Sequence, residues 1–411
     1  ESVSKGVYPM KLGIVSCYFI NNYGSILQAY ALQEYLGAQG VECDTISAEG
    51  LKPYLAVKKR QYYFRNIHKA GLLFSKLPMM YLKLLQKINY RELGNRYRER
   101  VRKFDEFRKN FKLSAESASS LAQLTEMADR YDAVVVGSDQ LWRPDNIFPD
   151  YYTLSWVPDN IPKVSYATSF GVSELDRAYQ AKARTFLNRL SSVSVRENSG
   201  CRLVKEITGK TPYVVCDPVF LLTKERWSML ADFSCCPKQK YIFTYFLGKG
   251  KKCREFVKKL SAVTGLPVLG VVHNDSYLAS DERIDYPVCS CSPNEFLGLL
   301  SNAEYICTDS FHAVAFSTIF NKNFFVFDRF RSKKHGTNSR IESFLRMTEL
   351  EDRLITDACQ ANDIVLKDID YERVDRKILS FVGQSYDFIE KEILQGASCN
   401  GQEKDFASQL D

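Results

Sequence analysis

Short apolar runs, each followed by a loop and then by residues spaced like one face of a helix, recur in two series along this chain. That alternation restricts its fold more than any other feature. Residues 11–18, KLGIVSCY, have the character of a buried strand. Leu27, Tyr30, Ala31, Tyr35 and Ala38 then recur at three- and four-residue steps, a helical period that Gly40 ends. Residues 41–46, VECDTI, predict a second strand. After residues 52–112 the pattern resumes with β-rich runs at 133–137, 163–167, 192–195 and 213–216, separated in part by helical segments near 173–189 and 197–209. A polar stretch at 234–240, with Pro237 inside it, reads as a linker. A second series follows, with strands at 241–246, 267–272, 305–307 and 324–327 and helices near 251–264, near 293–302 and from 310. Such alternation predicts parallel sheets covered by helices, here an α/β chain of two Rossmann-like domains facing a cleft. The expected boundaries are 1–233 for the first domain, with an insertion at about 52–112, and 240–370 for the second. The amphipathic stretch 371–395 is expected to cross back to the first domain as a helix.

A chain of 411 residues is long enough for two such cores. No stretch approaches the roughly 18 apolar residues of a membrane span. Residues 1–10 have no apolar signal core, so a cytoplasmic location is expected. Twelve cysteines are scattered without a CxxC pair, and with four histidines they make a poor basis for a metal cage. Cys17, Cys216 and Cys307 fall inside apolar runs and read as buried reduced thiols. The net charge of +7 is unevenly spread, because residues 52–112 hold 18 Lys and Arg against four Asp and Glu. There the charge is interleaved with Tyr62, Tyr63, Phe64, Leu72, Leu73, Phe74, Leu77, Met79, Met80, Tyr81, Leu84 and Leu85. Two readings are open: a helical insertion whose apolar face packs on the body, and a surface that meets anionic lipid at the inner membrane face. No recognised nucleic-acid module is present, and no such partner is expected.

The polar residues sit where chemistry would need them. Asn22-Tyr23-Gly24 follows the first strand, Ser138-Asp139 the run AVVVG, and Ser169-Phe170-Gly171 the run KVSYA. Arg196-Glu197 follows SVSV, and Asp309-Ser310-Phe311-His312 follows YIC. Parallel strands point one way, so these loops gather along the carboxyl edges, where open α/β sheets bind ligands. Most are also expected to open helices, whose free amides favour anions. Taken one at a time, the Asn22–Gly24 loop reads equally as a common turn, Ser138 and Asp139 as helix caps, and Arg196-Glu197 as a surface pair. No GxGxxG, GxxxxGK[ST] or GxSxG motif is present. What remains is the basic Arg196 and Arg340, the acidic Asp139, Glu197 and Asp309, and His312. That set suits transfer from an anionic, phosphate-bearing donor to a hydroxyl acceptor.

At these residues the sequence resembles the polysaccharide pyruvyl transferase family. The matching pieces are Asn22-x-Gly24, VVVGSDQLW (134–142), KVSYATSFG (163–171), SVRE (194–197), CDPVFLL (216–222) and TDSFHAVAFS (308–317), in order along most of residues 11–350. The resemblance implies a fold similar to the B-type glycosyltransferases, phosphoenolpyruvate as co-substrate without a further cofactor or metal, and a sugar or lipid-linked glycan acceptor. His312, Asp139 and Asp309 are expected to be catalytic, with His312, the only histidine among these pieces, as proton donor or base, held by Asp309 or by its helix start. Arg196 and Arg340 are expected on the donor's carboxylate or phosphate, with Arg340 closing a loop-like stretch from Arg329. Asp139 with Asn22 and Gly24 is expected on the acceptor side, and Ser138, Ser310 and Glu197 are expected to bind substrate. Two rivals stay open: a nucleotide-sugar glycosyltransferase of the same fold, and a non-catalytic sugar-binding protein.

Overall fold

The computed structural model describes residues 10–66, 91–248, 250–272, 284–288, 290–329, 337–356 and 367–396. The first sheet is built from β1 (Lys11–Val15), β2 (Glu42–Ser47), β3 (Leu113–Ser117), β4 (Ala133–Val136), β5 (Lys163–Thr168), β6 (Ser192–Val195) and β7 (Tyr213–Val214). Its seven strands run in the order β3-β2-β1-β4-β5-β6-β7, parallel at every pairing. The second sheet contains β8 (Ile242–Tyr245), β9 (Val268–Val271), β10 (Tyr286–Val288), β11 (Tyr305–Thr308), β12 (Asn323–Phe327) and β13 (Leu354–Ile355). Its order is β10-β9-β8-β11-β12-β13, again parallel throughout. The protein is therefore α/β with parallel sheets in two domains. Helices cover both faces of each sheet, so β4 and β8 are buried at every position and read as unbroken apolar runs.

The helices of the first domain are α1 (Tyr23–Ala38), α2 (Lys52–Arg65), α3 (Arg91–Arg108), α4 (Leu121–Ala128), α5 (Pro144–Ile147), α6 (Arg177–Arg189), α7 (Asn198–Thr208) and α8 (Lys224–Leu230). In the second domain α9 (Lys251–Thr264), α10 (Pro293–Asn302), α11 (Phe311–Ile319) and α12 (Thr337–Thr348) follow, and α13 (Tyr371–Phe388) comes last. Strands β3, β10 and β13 and helices α4, α5, α8 and α12 have no counterpart among the expected elements. All three strands sit at or beside a sheet edge, and β3, LSAES, carries too little apolar sequence to announce itself. Two further expectations are corrected. Arg340 stands inside α12 rather than at the end of a loop. No helix opens at Ser138-Asp139, since the next one starts at Pro144 with Arg143 as its cap residue.

In each sheet the strand order reverses once, between β1 and β4 in the first and between β8 and β11 in the second. At such a reversal the two outgoing loops part and leave a crevice. The crevice loops of the first sheet carry Asn22–Gly24 and Ser138-Asp139; those of the second carry Leu247-Gly248 and Asp309–His312. The two domains bring these crevices together.

Part of the basic segment braces that arrangement. On α3, Lys103 pairs with Glu295 of α10 at 2.6 Å, and buried Arg100 donates to the carbonyl of Val272 at 3.1 Å. Tyr23 stacks on Phe296 with ring centroids 4.4 Å apart, and its hydroxyl donates to the carbonyl of Cys291 at 2.8 Å. A desolvated aromatic pair of this kind contributes about 0.5–1.5 kcal/mol beyond its buried area. On α2, Leu55 and Tyr62 face inward, while Val57 and Phe64 are exposed. Leu72, Leu73, Phe74, Leu77, Met79, Met80, Tyr81, Leu84 and Leu85 lie outside the described residues. Helix α13 returns to the first domain. Ser385 Oγ accepts from the backbone amide of Cys216 at 2.9 Å, and Tyr386 stacks on Tyr35 at 5.0 Å. Cys17, Cys216 and Cys307 are buried free thiols.

Candidate active site

A buried carboxylate outside the expected set, Asp217, ties the site together. It follows β7 and caps a short 3-10 turn at Pro218–Leu221, where its Oδ1 accepts from the amide of Val219 at 3.2 Å. Its Oδ2 accepts from Ser138 Oγ at 3.1 Å and from Nη1 of Arg196. The same oxygen lies 3.4 Å from Nε2 of His312, which belongs to the other domain. Burial opposes ionisation of Asp217, but His312 and Arg196 together hold its carboxyl well below the usual range. The sequence offered a signal for it: a lone acid in an otherwise apolar run, CDPVFLL, directly after a strand.

Arg196 and Glu197 form no surface pair, being 6% and 3% exposed. Arg196 commits Nη1 to Asp217 and lies 3.6 Å from Asp139 through Nη2. Its Nε and Nη2 have no hydrogen-bond partner. Burial works against its charge, but Asp217, Asp139 and Glu197 raise its pKa all the same. Glu197 accepts from Ser169 Oγ at 2.7 Å through Oε1, while Oε2 makes no hydrogen bond and lies 3.9 Å from Nε of Arg196. Burial pushes its carboxyl up, against the pull of Arg196 and Arg340.

Arg340 reaches the same place from α12, with Nη1 3.9 Å from Asp139 and Nε unpartnered. Burial and the neighbouring Arg196 bring it down to about 9. Asp139 adopts a left-handed backbone, φ +79°, a conformation that costs a non-glycine residue of order 1 kcal/mol and often marks function. Its Oδ2 accepts from Ser25 Oγ at 2.6 Å. Burial would raise its pKa, but His312, Arg196 and Arg340 hold it at about 2.

Asn22 is the N-cap of α1, its side chain accepting from the amide of Ser25 at 3.1 Å. Gly24 has a second duty. A Cβ there would fall 2.1 Å from Nδ1 of His312, so only glycine lets the imidazole rest against the start of α1. Ser310 is the buried N-cap residue of α11 and makes no side-chain cap bond. Asp309 does not hold His312. Its two oxygens accept from the amides of Leu247 and Gly248, each at 2.7 Å, and Arg329 Nη2 donates to its carbonyl at 3.0 Å. Asp309 thus fixes the loop after β8, and Asp217 takes the place beside the histidine.

Beside this network lies a cavity of about 120 Å³ lined by Arg196, Glu197, Asn198, Asp217, Phe311 and Arg340, with Phe220, Phe344 and Met347 on its apolar side. Among the described residues no group of three or more His, Cys, Asp or Glu could hold a metal ion. No described helix is long and apolar enough to cross a membrane.

A family model described as polysaccharide pyruvyl transferase matches residues 22–329. No curated protein matches the sequence. Among solved structures, a putative UDP-N-acetylglucosamine 2-epimerase from Listeria monocytogenes is similar at a TM-score of 0.49 and 11% identity, over 93% of this chain and 95% of its own. The UDP-GlcNAc 2-epimerase from Neisseria meningitidis is similar at 0.48 and 11%, over 94% and 100%. The glycosyltransferase SnogD from Streptomyces nogalater stands at 0.43 and 12%, over 94% and 100%. Likeness at this level is too distant to bear on chemistry.

Proposed function

Because this chain belongs to the polysaccharide pyruvyl transferase family, we propose that it moves the pyruvyl group of phosphoenolpyruvate onto two hydroxyls of a sugar as a ketal, in cell-surface polysaccharide assembly. One observation carries the reading. Two buried arginines with N–H groups that make no hydrogen bond stand beside a histidine that is itself paired to a carboxylate, in the cleft between the domains. In the reaction C3 of the enol takes a proton, C2 becomes electrophilic, two sugar oxygens bond to it and the C2–O bond to phosphate breaks. Of the two hydroxyl protons displaced, one is balanced by the new C3–H bond and the other leaves with phosphate. A site for this needs cations for carboxylate and phosphate and a group that moves protons. Arg196 and Arg340 suit the anions through forked contacts, and His312 suits the proton steps. Asp139, with the Asn22–Gly24 loop and Ser138, is assigned to the acceptor, where its carboxylate can receive a hydroxyl hydrogen. Glu197 and Ser310 line the donor side in this reading.

The cavity, which has Arg196 and Arg340 in its lining beside the apolar Phe220 and Phe311, suits a small anionic donor. The acceptor is read as a sugar or lipid-linked glycan. The exposed Val57 and Phe64 flank Arg60 on one stripe of α2, and we read that stripe as a surface for the anionic inner membrane face that such an acceptor would occupy. The direct test is incubation with phosphoenolpyruvate, or with nucleotide sugars, and a panel of sugar diols. Phosphate release with acceptor mass gain of one ketal-linked pyruvate is expected. Turnover of nucleotide sugars instead would overturn the reading.

A further inference from the structure

Phe311, the first residue of α11, carries two guanidiniums on one ring. Cζ of Arg196 is 4.8 Å from the ring centroid and Cζ of Arg340 is 5.9 Å from it, both within the range where the ring's negative face attracts a cation. The ring is 6% exposed and held edge-on by Phe344 at 6.1 Å and by His312 at 5.4 Å. Two like charges buried this close repel. The acids answer that repulsion unevenly: Arg196 is paired to Asp217 and lies within 4 Å of Asp139 and Glu197, whereas Arg340 reaches Asp139 only at 3.9 Å. Nε and Nη2 of Arg196, 3.9 Å from Glu197 and 3.6 Å from Asp139, and Nε of Arg340 make no hydrogen bond, beside a cavity that Phe311 itself lines.

We propose that Phe311 is a positioning residue for the donor: its ring holds the Arg196 and Arg340 guanidiniums together so that these N–H groups converge on one small ligand bearing two anionic groups. This rests on the phosphoenolpyruvate reading above for the identity of that ligand, but the pairing of the arginines stands on the geometry alone. The role is played by the face of the ring and not by its bulk. An aliphatic side chain of similar volume would fill the space and leave the two cations to move apart.

The test is calorimetric titration of the full chain with phosphoenolpyruvate and, separately, with inorganic phosphate, for wild type, Phe311→Leu and Phe311→Tyr. Phe311→Leu should weaken both ligands by about tenfold, the loss expected for roughly two moderate cation–ring contacts. Phe311→Tyr, which keeps the ring, should stay within about threefold of wild type. Donor KM should follow the same order, with a smaller change in kcat. Equal binding by wild type and Phe311→Leu, or a Tyr variant as weak as the Leu one, overturns the proposal. If wild type binds phosphate in this Phe311-dependent way but not phosphoenolpyruvate, the arginine pairing stands and the donor reading falls. Binding of neither ligand overturns both. Should Phe311→Leu fail to fold, Phe311→Met puts the same question with a more adaptable chain.

Discussion

Asp217 Oδ2 lies 3.4 Å from His312 Nε2, and the two residues come from different domains. The pairing exists only while the domains stay together, so under the proposed function the proton steps assigned to His312 would need both domains in place. His312→Ala should lower turnover by about 10²-fold or more, the usual loss for an acid–base group. Asp217→Asn should lower turnover as well and also destabilise the fold, since Arg196 loses its closest counter-charge and an unmatched buried charge costs about 3–5 kcal/mol. Steady-state kinetics with thermal melts separates the two effects. Normal turnover by a folded His312→Ala protein would remove the imidazole from the chemistry.

Arg196→Lys keeps the charge but loses the fork that reaches Asp217 with one arm and leaves Nε and Nη2 without a hydrogen bond. An ammonium cannot serve both directions at once. Donor KM should rise about tenfold or more, while acceptor KM changes little. Initial-rate measurements varying each substrate in turn decide it, and an unchanged donor KM would count against the anion site.

Gly24→Ala sets two effects against each other. Alanine in a helix is favoured over glycine by about 0.5–1 kcal/mol. The added Cβ, however, would fall 2.1 Å from Nδ1 of His312, and overpacking of that kind costs about 1–3 kcal/mol. The imidazole cannot yield freely with Asp217 and Arg196 at its other nitrogen. The net expectation is a lower Tm and a large loss of turnover. A higher Tm with normal turnover would show that the closed contact is not the working one.

The acid limb of the stability profile should report Asp139. Its folded pKa is depressed to about 2 from an ordinary 3.8. The stability it contributes is therefore fully present above about pH 4 and lost as pH falls toward about 2. Two units correspond to about 2–3 kcal/mol. Asp139→Asn should be less stable by that order near neutral pH and should converge with wild type near about pH 2. Denaturant melts across this range provide the check, and parallel curves for the two proteins would be the contrary result.

The exposed stripe of α2 predicts salt-sensitive sedimentation with vesicles containing anionic lipid. Lys58, Lys59 and Arg60 lie on this helix beside exposed Val57 and Phe64. Changing the three basic residues together to Glu should abolish binding at low salt. No binding by wild type under those conditions would leave α2 as a helix that only packs on the body.

Local sequence determined the elements and their order. Each sheet's central strands are buried on both faces, so they had to be short apolar runs, and the helices between them had to carry an apolar stripe. Residues 293–302 show this well: Pro293 and the Ser292–Glu295 capping box mark the start of α10 in the sequence itself. The edge strand β3, LSAES, was illegible because an edge needs little apolar surface. Membership of the loop set was legible too, for parallel strands must deliver Asn22–Gly24, Asp139, Arg196 and His312 to carboxyl edges. Only the tertiary structure decided who meets whom. Arg340 enters from a helix that its basic neighbourhood disguised as a loop. Asp309, expected beside His312, turns instead to two backbone amides after β8, whose N–H groups its carboxylate satisfies. Asp217 takes the histidine across the domain boundary. Partners about a hundred residues apart leave no periodic trace in a sequence, since what selects them is the approach of two separately folded sheets and the need of each buried charge for an opposite one.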